Sequence, residues 1–288
     1  MSIRAILALV DGGAGSQGTL RTAVQLGRSF DAYTEVLHVK LDPETVIPVV
    51  AEGMSGAAVG QIVESTRQGA ETRAAEAQRV FQEVSLAESL PLVALDSEPE
   101  GQHFAVAWRE TTGREAPEIA ERGRLFDLIV IARPDPESGP GTAAALEAGL
   151  FETGRPVVIA PPEPQGALRH VAVAWNATRE SARAVWAARP FLTRAEKVSI
   201  ITVVDSDPGA NPADLARYLA HHGVSAETHL AKRSAAGLGD SLLDATKDCG
   251  ADLLVMGGYG HSRLRELVLG GATRSVLQQA ALPVLMTH

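Results

Sequence analysis

The sequence predicts an α/β fold built from two tandem, doubly wound, Rossmann-like domains, each with a mostly parallel five-stranded sheet. Three observations predict it. Short apolar runs alternate with helix-forming stretches along the whole chain, the same order occurs twice, and a proline cluster separates the two occurrences. Alternation of this kind requires crossover helices, so the strands run parallel and are covered on both faces.

The first repeat opens with IRAILALVDGG (Ile3 to Gly13) and the second with LRHVAVAWNAT (Leu168 to Thr178), strands that end in Asp11 and Asn176. Helical stretches follow each of them, SQGTLRTAVQLGRSF and TRESARAVWAARPFL, and then a second apolar run, Thr34 to Asp42 and Glu196 to Asp205. The closing parts match as well: FDLIVIARPD (Phe126 to Asp135) with ADLLVMGGYG (Ala251 to Gly260), and GRPVVIAPP (Gly154 to Pro162) with ALPVLMTH (Ala281 to His288). Between the repeats, APPEPQGA (Ala160 to Ala167) cannot continue a strand or a helix, which puts the domains at 1–162 and 163–288.

In the second domain the pattern predicts strands at 170–175, 197–204, 224–230, 252–256 and 283–286. It predicts helices at 178–188, 212–222, 237–248 and 271–280. The first domain follows the same plan with a long helical stretch from Ala57 to Ser89, rich in Ala, Glu, Gln and Arg, expected to pack on the other domain or on another subunit.

Composition narrows the function. The 288 residues are 45% hydrophobic and 21% charged, with a net charge of −9 and a pI near 5.4. An acidic body of this kind does not favour nucleic acid or an anionic membrane as a partner. Cys249 is the only cysteine, so the chain offers neither an internal disulfide nor a thiolate metal cage. The apolar run at the start is too short to span a bilayer, and the chain reads as cytoplasmic.

Gly13, Gly15 and Gly18 satisfy the dinucleotide spacing G-x-G-x-x-G, yet Asp11 stands where a pyrophosphate would be repelled, and the equivalent turn WNATRES has no glycine. The stretch therefore reads as a lengthened connection between strand and helix. More informative is MGGYGHSRLRELVLGGATRSVL (Met256 to Leu277), at the carboxyl end of a parallel strand where open α/β sheets bind ligands. Gly257 and Gly260 permit close backbone approach, and Gly270 and Gly271 open the last helix, whose free N–H groups suit an anion.

With these residues the chain resembles the universal stress proteins in their tandem form, whose nucleotide pattern G-x2-G-x9-G is fitted by Gly257, Gly260 and Gly270. The likeness extends to Val10 to Gly13, Leu37 to Val39, Ala251 to Gly257 and Leu282 to Met286. The resemblance implies a dimer or a pseudo-dimer of the halves, a stress-response binding module, and ATP or another adenine nucleotide with Mg as ligand. It assigns Asn176 to adenine and ribose, Val203 to the adenine, Gly257 and Gly260 to the phosphate loop, and Gly270, Gly271 and Thr273 to the helix start that receives phosphates.

Asn176 stands where the family has Asp, and Gly271 where it has Ser or Thr. In the first domain Ala132 and Asp135 take the places of the loop glycines, and Asp135 with Glu137 repels a triphosphate, so that half is expected to be a non-binding partner. Arg263, Arg265 and Arg274 are candidates for phosphate contact, with Glu266 as an alternative ion-pair partner. His221, His222 and His229 lack the spacing of a metal site, and no nucleophile elbow or catalytic cysteine setting is present. Two other readings stay open: a ligand-free interaction scaffold, and a slow ATP hydrolase on the same sheet.

Overall fold

Parallel strands need crossover helices, and the computed structural model has that alternation in both halves. It describes residues 2–46, 56–95, 97, 103–134, 139–164, 166–204, 210–258 and 271–288. The chain divides into two compact units, Arg4–Arg155 and Pro156–His288, the latter joined by Met1–Ile3.

In the first unit β1 (Ala5–Leu9), α1 (Ser16–Phe30) and β2 (Tyr33–Leu41) lead through a 3₁₀ turn (Pro43–Val46) to α2 (Gly56–Ala87). Then come β3 (Ala105–Gly113), α3 (Glu115–Gly123), β4 (Leu128–Ala132) and α4 (Gly139–Glu152). The four strands run parallel in the order β3-β2-β1-β4. Strand β4 is buried at every position, and its sequence, LIVIA, is a continuous apolar run rather than an alternation.

The second unit holds β5 (Val157–Ala160), β6 (His170–Ala174), α5 (Arg179–Ala187), α6 (Arg189–Leu192), β7 (Lys197–Val204) and α7 (Pro212–Ala220). After these come β8 (Glu227–Lys232), α8 (Leu238–Asp248), β9 (Leu253–Gly257), α9 (Gly271–Gln279) and β10 (Val284–Thr287). Its strand order is β5-β10-β9-β6-β7-β8, parallel except that β5 runs antiparallel to β10. The expected boundary at 162/163 places β5 with the first repeat in sequence. In space β5 gathers with the second unit, because its Ile159 and Val157 pair with Val284 and Met286.

The long helical stretch is the crossover between β2 and β3, and it corresponds to α7, which links β7 and β8 with 9 residues where α2 has 32. Its inner face, Ala70, Ala74, Ala77, Val80, Phe81 and Val84, follows helical spacing and is buried. Phe81 packs 5.0 Å from Trp108 on β3, which stacks at 6.3 Å on His38 of β2. The expectation that this helix serves another domain or subunit is thus corrected: its apolar stripe is taken by its own unit. The outer face carries Arg67 between Glu64 and Glu71, and Arg79 between Glu76 and Glu83, exposed pairs of small energetic weight.

On the other face of the first sheet, Glu35 of β2 is 1% exposed and accepts from Arg109 Nε at 2.9 Å, Arg122 Nε at 2.7 Å and Arg122 Nη2 at 2.6 Å. Burial pushes its carboxyl up, but the two guanidinium groups outweigh this and hold it below the ordinary glutamate value. Burial and the neighbouring Glu35 raise Tyr33 to about 12. Because the folded value of Glu35 is depressed, its contribution is fully present above the unfolded value and fades as pH falls through the folded one. Glu35→Gln is expected to lower stability by about 3 kcal/mol at pH 7, since two buried-side cations lose their counter-charge, and urea unfolding at pH 7 and pH 3 measures both effects.

Candidate functional site

Strands β6, β7, β9 and β10 run parallel, so their carboxyl ends open on one side of the second unit's sheet. Chain leaves β6 through Trp175 and Asn176, turns at Ala177 with φ of 56°, and enters α5 with Thr178 as its cap. The cap is made by Thr178 Oγ1 accepting from the Ser181 amide at 3.3 Å. Asn176 is exposed, and its Oδ1 already accepts from the Thr178 amide at 3.3 Å and hydroxyl at 2.8 Å.

Val203 is half-buried on β7 beside Ala231 of β8. Gly257 ends β9, and a Cβ there would lie 2.4 Å from the carbonyl carbon of Glu180 and 2.6 Å from the amide nitrogen of Ser181. The close approach this glycine permits is therefore to the first turn of α5. Gly271 opens α9 with nothing within 4 Å of where its Cβ would be, and Thr273 is buried one position beyond the next residue. Gly260 and Gly270, with Arg263, Arg265, Glu266 and the rest of 259–270, lie outside the described residues, as do Asp135 and Glu137 in the first unit. The structure thus brings Asn176 and Gly257 to adjacent strand ends and places Val203 on the neighbouring strand.

Three groups the motif did not single out share this end. Thr287 pairs with Gly257, and the register Ala174↔Ile201 carried on by one residue sets Trp175 beside Thr202. The side chains of Trp175, Thr202 and Thr287 present Nε1, Oγ1 and Oγ1 that are buried and without a hydrogen-bond partner. Such groups each cost about 1–3 kcal/mol unless something answers them. Trp175, a large polar-edged residue next to the Asn176 turn, was the available signal in sequence; the threonines carried none.

The equivalent end of the first unit is closed from within. Asp11 Oδ1 accepts from the Gly13 amide at 2.8 Å and from Ser16 Oγ at 3.0 Å, while Oδ2 accepts from Thr142 Oγ1 of α4 at 3.1 Å. Gly12 has φ of 80°, and a Cβ on it would lie 2.3 Å from the Arg73 carbonyl oxygen, so α2 presses on the turn itself. Gly15 packs against Ala132 in the same way, with 2.7 Å from a Cβ to the alanine methyl. At the start of α3, burial and the charge of Asp11 raise the Glu115 carboxyl to about 7, against an opposing pull from Arg73.

The histidines of the second unit serve packing: His222 lies edge-on to Tyr218 and within 3.2 Å of Arg189 Nη2, and His229 is 3.7 Å from Glu227. Among the described residues no three His, Cys, Asp or Glu side chains cluster as metal ligands, and no helix is long and apolar enough to cross a membrane.

A family model described as the universal stress protein family matches residues 215–288, from α7 to the last strand. Over this segment the chain is similar to that family. A curated universal stress protein of Synechocystis is 44% identical over 46 residues, which is 16% of this chain and 16% of that protein's length. Among solved structures, a universal stress protein from Archaeoglobus fulgidus has a TM-score of 0.65 at 16% identity, covering 98% of this chain and 97% of its own. One from Pseudomonas aeruginosa, named as a putative universal stress protein, has a TM-score of 0.57 at 16% identity over 99% and 93%. These two likenesses extend the universal stress protein fold over both units.

Gly257→Ala is expected to destabilise the protein by about 1–3 kcal/mol, because the new methyl meets backbone of α5 and one element must shift. Denaturant midpoints measure it. A native group whose value is raised to about 7 holds a proton that the unfolded chain releases, so Glu115 makes stability decline between the unfolded value and pH 7. Glu115→Gln is expected to remove that decline and to raise stability at pH 8 by roughly 2 kcal/mol, read from melts at pH 5 and pH 8.

Proposed function

We propose that the protein is a cytoplasmic stress-response binding module that holds an adenine nucleotide, ATP with Mg, at the carboxyl end of the second unit's sheet. The observation that carries this reading is the contrast between the two ends. The second unit leaves the Trp175 N–H and the Thr202 and Thr287 hydroxyls buried and unanswered beside Asn176 and Gly257. In the first unit Asp11, at the place of Asn176, accepts three hydrogen bonds from its own chain and a helix packs on its turn, and among the described residues the row beside it leaves a single buried ring nitrogen, His38 Nε2, unanswered. Donors and acceptors of this kind suit a base and a ribose, and the amide ends of α9 at Gly271 suit phosphate. Glycine at 271 keeps the backbone N–H for the phosphate while giving up the family's hydroxyl.

The first unit then acts as the paired, non-binding half. No described residue supplies a general base at the proposed site, and binding rather than turnover is the activity expected of it.

A thermal-shift titration with Mg-ATP tests the reading on protein stripped of bound small molecules by unfolding and refolding. A ligand that binds only the native state stabilises it by about 2.7 kcal/mol at a concentration one hundred times its Kd, so the melting temperature should climb with ligand concentration. Thr202→Val keeps the shape and removes the hydroxyl, and it is expected to weaken binding about fivefold, the equivalent of about 1 kcal/mol. Asp11→Asn in the first unit should leave the affinity unchanged. A melt insensitive to millimolar Mg-ATP would favour the ligand-free scaffold.

A further inference from the structure

We propose that β8 is an open pairing edge that joins two copies of this chain in an antiparallel arrangement centred on Leu230. The inference goes beyond nucleotide binding and does not depend on it.

The two repeats treat the same position differently. In the first unit the outer strand is β3, and its outer side is covered by the chain's own segment: the Val93 amide donates to the Val106 carbonyl at 2.9 Å, and the Val106 amide donates to Pro91 at 3.0 Å. Leu92 forms a parallel bridge there. In the second unit β8 ends the strand order, paired to β7 alone, and no such covering bridge reaches it among the described residues.

Which backbone groups face outward follows from one bond. The Arg233 amide donates inward to the Val204 carbonyl at 3.1 Å, so residues of that parity, 227, 229 and 231, turn their backbone groups to β7. Thr228, Leu230 and Lys232 turn theirs outward. All three are exposed, and Leu230 is 65% exposed at the centre of the strand. A guarded edge carries a charge at its middle, whereas here the charges stand near the ends.

An outward residue in an antiparallel pair must face an outward residue, which leaves few symmetric registers. With Leu230 opposite Leu230 of the second copy, Thr228 faces Lys232, His229 faces Ala231, and Glu227, which also pairs with Lys197 of its own chain at 3.0 Å, faces Arg233. The apolar residue meets itself and opposite charges meet at both ends. Sliding by one pair in one direction places Leu230 against Thr228, and in the other it places Leu230 against Lys232 and His229 against Arg233. Of these registers the Leu230-centred one alone sets apolar against apolar and opposite charges together, which makes a second copy the fitting occupant.

Sedimentation velocity over a range of concentrations tests this on the full chain. The wild type is expected to form dimers, and Leu230→Lys and Leu230→Glu each to raise the dissociation constant at least about tenfold, because like charges then stand directly opposite. Their melting temperatures should match the wild type, since the position is exposed. An equimolar mixture of the two variants should recover the dimer. The register is read separately: Thr228→Glu should tighten the dimer through Lys232, and Thr228→Lys should weaken it. A monomeric wild type, a Leu230→Lys protein that dimerises undiminished, or a mixture of folded variants that stays monomeric would each overturn the proposal.

Discussion

Everything in this molecule depends on the parallel strand ladder. A parallel neighbour cannot be reached by a tight turn, so each strand is followed by a helix that carries the chain back across the sheet. The carboxyl ends of β6, β7, β9 and β10 consequently gather on one side, and residues more than a hundred positions apart, such as Trp175 and Thr287, come into one row. The same rule forces short apolar strands buried on both faces, which is why the core of each unit is made of runs such as LIVIA and LLVM rather than alternating patterns.

Given that shared frame, the two units diverge through what is laid over the strand ends. In the first, a crossover helix of 32 residues packs Phe81 on Trp108 and brings the Arg73 backbone against Gly12. Thr142 reaches Asp11 from α4 and adds a third hydrogen bond to the two that the carboxylate accepts from its own turn. A crossover of 9 residues in the second unit covers less. Both strand-end turns still share one device: Asp11 and Asn176 fold back to hold the following turn, and the next residue, Gly12 or Ala177, adopts positive φ. Asparagine is therefore sufficient for the structural half of the task that aspartate performs in the first unit.

The two carboxyl groups most deeply placed in the first unit's polar clusters, Glu35 and Glu115, are accommodated in different ways. Glu35 is tolerated at the core because two arginines answer both its oxygens, and Glu115 is tolerated by holding its proton near neutral pH. His38 Nδ1 donates to the Val10 carbonyl, 2.8 Å away, its ring stacks with Trp108, and its Nε2 is buried without a hydrogen-bond partner. The universal stress protein fold here thus accommodates charge where a partner lies across a strand or helix, and charge neutralisation where none does.

Periodicity and the internal repeat were enough to place most strands and helices, including β7 at 197–204 and the long helix near 57–89, because local pattern and burial agree there. The third strand of the second unit came out at Glu227–Lys232 rather than 224–230, since an exposed edge strand has little apolar signature to mark it. The family resemblance singled out Asn176, Val203 and Gly257, and the strand ladder is what sets them on neighbouring strands. Sequence could not say that Gly257 is required by the first turn of α5, that Thr142 donates to Asp11 from 131 residues away, or that β5 joins the second unit. Those facts are contacts between segments distant along the chain. Local preference determines which elements form, and only their packing decides which atoms meet.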